Sequence, residues 1–214
     1  MDAQRWAAPS PLPGPVLTER LEIRRYKTGD GPALFEAVDR DRKALLPWLP
    51  WAAFAHRTEA DTFAFLRDCR RGYASIDAPD FAMGVFRRSD GELVGGTGLH
   101  APVPQARQAE IGYWLAPDER AQGLCSEATA GLISAAFTPV GDGGWELRRI
   151  VIRCAALNVR SVRVCERLGL RREAVHIADR WFEGSENIPA GYIDSHTYAV
   201  LDHEWNIDTH QHQP

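Results

Sequence analysis

The chain has 214 residues, 44% hydrophobic and 25% charged, with 18 Gly and 14 Pro spread along it, which excludes collagen, coiled coil and wholesale disorder. A formal net charge of −4 gives no overall cationic field, so no direct nucleic-acid binding is expected and any basic patch must be local. No apolar run approaches the roughly 20 residues that cross a bilayer, so no membrane span is expected and the chain reads as cytoplasmic.

Residues 1–16, with Pro at 9, 11, 13 and 15, read as a flexible Pro-rich leader. Leu21, Ile23 and Tyr26 suggest a first strand, and the turn Thr28-Gly29-Asp30-Gly31 opens a helix that runs to about Arg42. The aromatic stretch KALLPWLPWAAFAH is broken by Pro47 and Pro50 and reads as an irregular wall or lid. Thr58 with Asp61 resembles a capping box, and Phe65, Leu66 and Cys69 give the following helix an apolar face to about Arg71.

From Phe81 the period changes to two, and Asp90-Gly91 marks the tip of a hairpin joining two antiparallel strands. The strand AEIGYWL precedes the polar segment APDERAQGLCSEA, after which Ala128, Leu132, Ala135 and Ala136 form a helix face. The strand LRRIVIRC leads to Asn158, then a helix from about Val159 to Leu168 with Gly169 at its C′ position. WFEGSENIPAGYIDSHTYAVL reads as a long loop and a last strand, and residues 206–214 as a disordered tail. Residues 17–205 are expected to form one mixed α+β domain.

The unit from Glu110 to Ala136 carries the strongest chemical signal. A strand ends at Trp114-Leu115, and Arg120-Ala121-Gln122-Gly123-Leu124-Cys125-Ser126 then opens a helix. Orphan N–H donors and the positive dipole end converge at such a terminus, and small residues let a pyrophosphate approach the backbone. The same features describe a plain helix start with no ligand. No G-x-x-x-x-G-K-[ST] is present, and Gly95, Gly96 and Gly98 lie within a strand, where they read as close-packed or bulged positions. His56, His100, His176, His196 and His203 are scattered and suggest no nucleophilic triad. Cys69, Cys125, Cys154 and Cys165 lack metal-ligand spacing, so buried thiols and no metal are expected.

EIGYWLAPDERAQGLCSEA resembles the acetyl-CoA signature of the GCN5-related N-acetyltransferases (GNAT), Gln/Arg-x-x-Gly-x-Gly/Ala, with Arg120, Gly123 and Cys125 at its three defined positions. A second signature of that family is matched by Asn158, Ser161, Glu166, Leu168, Gly169 and Leu170. LTERLEIRRY, Leu49-Pro50-Trp51, the Glu110 to Trp114 strand and the Asp194 to Trp205 segment look like the branch typified by ribosomal-protein N-terminal acetyltransferases.

The resemblance implies a GNAT fold, a mixed and mostly antiparallel sheet flanked by helices, with acetyl-CoA as co-substrate and an amine as acceptor. It puts the CoA phosphates on Arg120, Ala121, Gln122, Gly123, Leu124, Cys125 and Ser126, and pantetheine along the backbone of Tyr113, Trp114 and Leu115. Asn158 and Ser161 would meet the pantetheine arm or thiolate, with Ser161 a catalytic candidate, and Glu110 would be the base. Helix capping by Asn158 and a surface position for Ser161 are the structural alternatives, as is a solvated face for the stripe Arg160, Arg163 and Arg167. Trp48, Trp51, Tyr192 and His196 would bound the acceptor. The tyrosine that protonates the leaving thiolate in many relatives would stand at Cys165, so that acid is absent here. The acceptor is a protein α-amine or a small molecule, an acyl-CoA sensor is the non-catalytic alternative, and the protein is expected to be a monomer or homodimer.

Overall fold

The computed structural model describes residues 6–74, 80–184 and 188–206. Among them, eight strands form one sheet in the order β1-β2-β3-β4-β5-β6-β8-β7. The strands are β1 (Val16–Leu17), β2 (Leu21–Arg25), β3 (Asp80–Arg87), β4 (Leu93–Val103), β5 (Gln108–Leu115), β6 (Arg149–Ala155), β7 (Arg171–Phe182) and β8 (Gly191–Leu201). Every neighbouring pair is antiparallel except β5 with β6.

Side-chain alternation sorts residues to the two faces of this sheet. Leu21 and Ile23 of β2 and Phe81, Met83 and Val85 of β3 join a large core with Leu132 and Ile133 of α3 (Leu124–Phe137) and Cys165 of α4 (Val159–Arg167). On the opposite face, Tyr26 and Phe86 pack with Leu34, Val38 and Leu45 of α1 (Gly31–Leu45) and Leu66 of α2 (Glu59–Gly72). Leu132 and Ile133 are fully buried, each contributing roughly 1.5–3 kcal/mol relative to exposure.

The local signals read from the sequence are realised in several places. Thr58 and Asp61 form the reciprocal capping box that starts α2, and Gly169 ends α4 with φ +69. Gly95 and Gly98 are close-packed strand positions: a Cβ at Gly95 would strike the Trp114 carbonyl, and one at Gly98 would lie 2.7 Å from that of Phe81. The lid between α1 and α2 holds a short 3-10 turn, Pro50–Ala53. Its carbonyls are tied to α1 by Arg42, which donates to those of Ala52, Ala55 and His56.

One expectation is corrected, and one element that the sequence left unassigned is found. The leader is not loose from residue 6 onward: Trp6 and Ala8 are buried in the large core, and the Trp6 indole donates to the Trp145 carbonyl at 2.8 Å. A long strand, β7, fills Arg171–Phe182, almost wholly before the loop expected from Trp181 and in a stretch to which the sequence assigned no element; it pairs with β8 as the sheet's edge. The expected tail lies outside the described residues from 207 onward.

Candidate active site

The parallel contact between β5 and β6 is short, running only through Gln108–Arg149, Ala109–Ile150 and Glu110–Val151. Beyond Glu110, β5 stays on β4 from Ile111–Leu99 to Leu115–Gly95, while β6 stays on β8 from Ile152–Tyr198 to Ala155–Ser195. The two strands therefore part, and their facing edges border a cavity of about 600 Å³. Chain direction places the starts of both α3 and α4 at this open end, because each follows one of the diverging strands.

The turn after β5 presents main chain to the cavity. Ala121 has φ +62, and Gly123, at φ +80 and ψ −9, is the N-cap of α3 and makes no side-chain cap, so the first-turn N–H groups are left for another acceptor. Ala121, Gly123, Leu124, Cys125 and Ser126 line the cavity. Arg20 braces the turn from outside, donating to the Gln122 carbonyl at 3.0 Å and pairing with Glu127 at 2.6 Å. Gln122 does not line the cavity; its amide donates to the Asp118 carbonyl at 2.8 Å. Arg120 lines it but is tied to the Leu115 carbonyl and to the buried carboxylate of Asp41. Burial and the charge of Arg160 lower the Arg120 pKa, but a guanidinium stays protonated; it is the pairing with Asp41 that leaves Arg120 little free positive charge. Burial pushes the Cys125 thiol up to about 12, keeping it protonated and inert.

The free cations come mainly from α4. Arg160, Arg163 and Arg167 line the cavity, as do Arg153 and Arg180, while no Asp or Glu does so among the described residues. The three α4 arginines have no carboxylate within 4.0 Å among those residues. A cationic cavity thus sits inside a chain whose net charge is −4, a local field suited to a polyanion. Asn158 caps α4, its Oδ1 accepting from the Ser161 N–H at 3.2 Å, and Ser161 Oγ lies 2.9 Å from the Tyr113 hydroxyl.

Trp114 projects from β5 to the other face, its ring 6.2 Å from that of Trp51, whereas Tyr113 joins the α3 and α4 side. Glu110 shares the Trp114 face by alternation and does not itself line the cavity; its carboxylate is 3.7 Å from Arg153 Nη1. Burial raises the Glu110 pKa, an effect opposed by Arg153 and His100. Of the four residues expected at the acceptor, only Trp48 lines the cavity, with its ring 5.4 Å from Phe182. Trp51 packs against His56 and Trp114, Tyr192 is exposed beside Trp181, and His196 stands opposite Cys154 on β8 with its ring 6.0 Å from Tyr198.

Sequence reasoning missed Asp41 as the partner of Arg120, and Arg153 and Arg180 as cavity walls. Arg180 donates to the Trp48 carbonyl from the unforeseen strand β7, whose solvent-facing pattern gave no period-two signal. Among the described residues, no cluster of three His, Cys, Asp or Glu side chains is placed to hold a metal, and no helix is long and apolar enough to cross a membrane.

The acetyltransferase (GNAT) domain profile matches residues 20–171. YdaF of Bacillus subtilis (strain 168), named provisionally as a ribosomal N-acetyltransferase, is 29% identical over 191 residues, 88% of this chain and 95% of that protein. The ribosomal-protein-serine acetyltransferase of Escherichia coli (strain K12) is 27% identical over 185 residues, 86% of this chain and 94% of its own length. Among solved structures, RimL, a ribosomal L7/L12 alpha-N-protein acetyltransferase in complex with coenzyme A, matches with a TM-score of 0.74 at 23% identity, covering 87% of this chain and 97% of that one.

Proposed function

The chain belongs to the acetyltransferase (GNAT) family, and we propose that it transfers the acetyl group of acetyl-CoA to a primary amine, with a protein N-terminal α-amine as acceptor. The observation that carries the reading is the cationic cavity between the parted strands β5 and β6, flanked by the uncapped start of α3. The turn from Arg120 to Ser126 would receive the diphosphate on its N–H groups, and Arg160, Arg163 and Arg167 would neutralise the CoA phosphates. The open edge at Tyr113, Trp114 and Leu115 would pair with the pantetheine amides as an added strand does. The same edge can direct an N–H at the thioester carbonyl, where charge develops during attack.

An alkyl ammonium with pKa near 10.4 is almost wholly protonated at pH 7, whereas an α-amine near 8 needs far less help to lose its proton. Glu110 is assigned as the base, since burial moves its pKa toward the working pH. Ser161 is assigned to the leaving sulfur, its backbone held by Asn158. Trp48 would wall the acceptor, backed by Trp51, with Tyr192 and His196 flanking its approach on β8. The α-amine acceptor is favoured by this pKa argument and by the likeness to the ribosomal-protein-serine acetyltransferase of Escherichia coli.

The test is calorimetric titration with coenzyme A, followed by thiol release from acetyl-CoA across peptide α-amines, lysine side chains, polyamines and aminoglycosides. Saturable CoA binding that weakens with salt, and turnover greatest with peptide α-amines, are expected. Absence of saturable binding refutes the reading, and turnover confined to polyamines or aminoglycosides moves the acceptor to the small-molecule class.

A further inference from the structure

Tyr113 reaches from β5 to the first turn of α4. Its hydroxyl lies 2.9 Å from Ser161 Oγ, 3.3 Å from the Ser161 carbonyl oxygen and 3.8 Å from Cys165 Sγ. Tyr113, Cys125, Val162 and Val164 each pack against the large core, in which Cys165 is fully buried. Asn158 holds the Ser161 backbone, and Tyr113, Cys154 and Ser161 all line the cavity. The small side chain at Cys165 leaves room for the phenol to meet Ser161.

A phenol is a stronger acid than an alkanol, so in this pair Tyr113 is the better donor and Ser161 keeps its own hydrogen for a second acceptor. We propose that Tyr113 is a positioning residue for acyl transfer: by donating to Ser161 Oγ, it turns the Ser161 hydrogen into the cavity, toward the sulfur of the departing thiolate. The inference rests on the acetyl-CoA reading above. As the tetrahedral adduct collapses, the C–S bond breaks and its electron pair stays on sulfur, which accepts the Ser161 hydrogen bond. Neither hydroxyl gives up its proton, and the proton lost by the amine has passed to Glu110. Burial raises the Tyr113 pKa well above that of a free phenol, which keeps it a neutral donor at working pH.

Tyr113→Phe removes one oxygen and retains the ring. Loss of one hydrogen bond predicts a kcat about 3- to 10-fold lower, with KM for acetyl-CoA within about twofold of wild type. Ser161→Ala lowers kcat as well, and adding Tyr113→Phe to it costs nothing further, because the phenol acts through that serine. An equal loss in both backgrounds overturns the proposal. If Glu110→Gln abolishes turnover while Tyr113→Phe and Ser161→Ala do not lower kcat, the relay falls and the acyltransferase reading stands. If no amine is acetylated, the relay is read on bound CoA from its thiolate ultraviolet absorbance against desulfo-CoA across pH. A thiol midpoint raised by Tyr113→Phe supports the relay; an unmoved midpoint overturns it.

Discussion

Replacing Arg153 by Gln isolates the charge that opposes burial at Glu110. Arg153 Nη1 is 3.7 Å from the Glu110 carboxylate, and its side chain is 63% exposed. In bulk water, two unit charges at that separation attract by about 1.1 kcal/mol, and measured exposed pairs give roughly 0.2–1 kcal/mol. At 1.36 kcal/mol per unit, losing the arginine raises the Glu110 pKa by about 0.15–0.7 units. A base works when deprotonated, so kcat/KM reckoned on the unprotonated amine, which removes the acceptor's own ionisation, and measured with saturating acetyl-CoA, falls as pH drops through the folded pKa of Glu110. Arg153→Gln shifts this acid limb to higher pH by that amount. Glu110→Gln removes the limb and lowers kcat/KM by roughly 10²–10⁴. A limb that persists in Glu110→Gln, or that moves to lower pH in Arg153→Gln, refutes the assignment. The stability sign is opposite to that of activity: a carboxyl with a raised folded pKa prefers to ionise in the unfolded chain, so its charged form disfavours the fold at neutral pH. Glu110→Gln is therefore expected to keep or raise Tm at pH 7, the gain fading as pH falls below the ordinary glutamate value.

Gly95→Ala would drive a Cβ into the Trp114 carbonyl, at a cost of about 1–3 kcal/mol, or a Tm loss of about 3–10 °C. Gly29→Ala meets nothing within 4 Å and should stay within about 0.5 kcal/mol of wild type; equal thermal melts for the two variants would contradict the packing account. Trp6→Ala empties a buried indole site and strands the Trp145 carbonyl, so urea melts should show a loss of about 3–5 kcal/mol. An unchanged midpoint would return the leader to the loose state expected from its prolines.

The legible parts of this chain are those whose causes are local. The α2 capping box lies within four consecutive residues, Thr58 to Asp61, and the bare helix start at Gly123 needs only a small residue and a positive φ. The illegible parts depend on what the chain meets later. Trp6 is buried because Trp145 stands 139 positions away, and Arg120 is neutralised by Asp41 from 79 positions before it. Strand β7 hides because, as the sheet's edge, it exposes Glu173, Val175, His176, Ile177 and Ala178, and its register shifts between His176 and Arg180. No alternation survives in such a strand. The stripe Arg160, Arg163 and Arg167 was visible as a stripe, but only the docking of α4 sets it, still exposed to solvent, along the cavity.

The cavity owes its existence to pairings on its outer sides. Five positions of β5 past Glu110 are held by β4, and four of β6 by β8, so the strands part without either edge coming loose. Had the parallel ladder continued to Leu115 and Ala155, it would have consumed the backbone groups now open to a ligand and closed the space before both helix starts. The gap therefore stands ready-made, and its width is set by contacts such as the close approach of Gly95 to Trp114. A Cβ at Gly95 must push β5 away from β4 and toward β6. That variant should accordingly raise the KM for acetyl-CoA even at temperatures where it is fully folded, and a normal KM in the folded variant would show that the cleft is not held open from its outer edge.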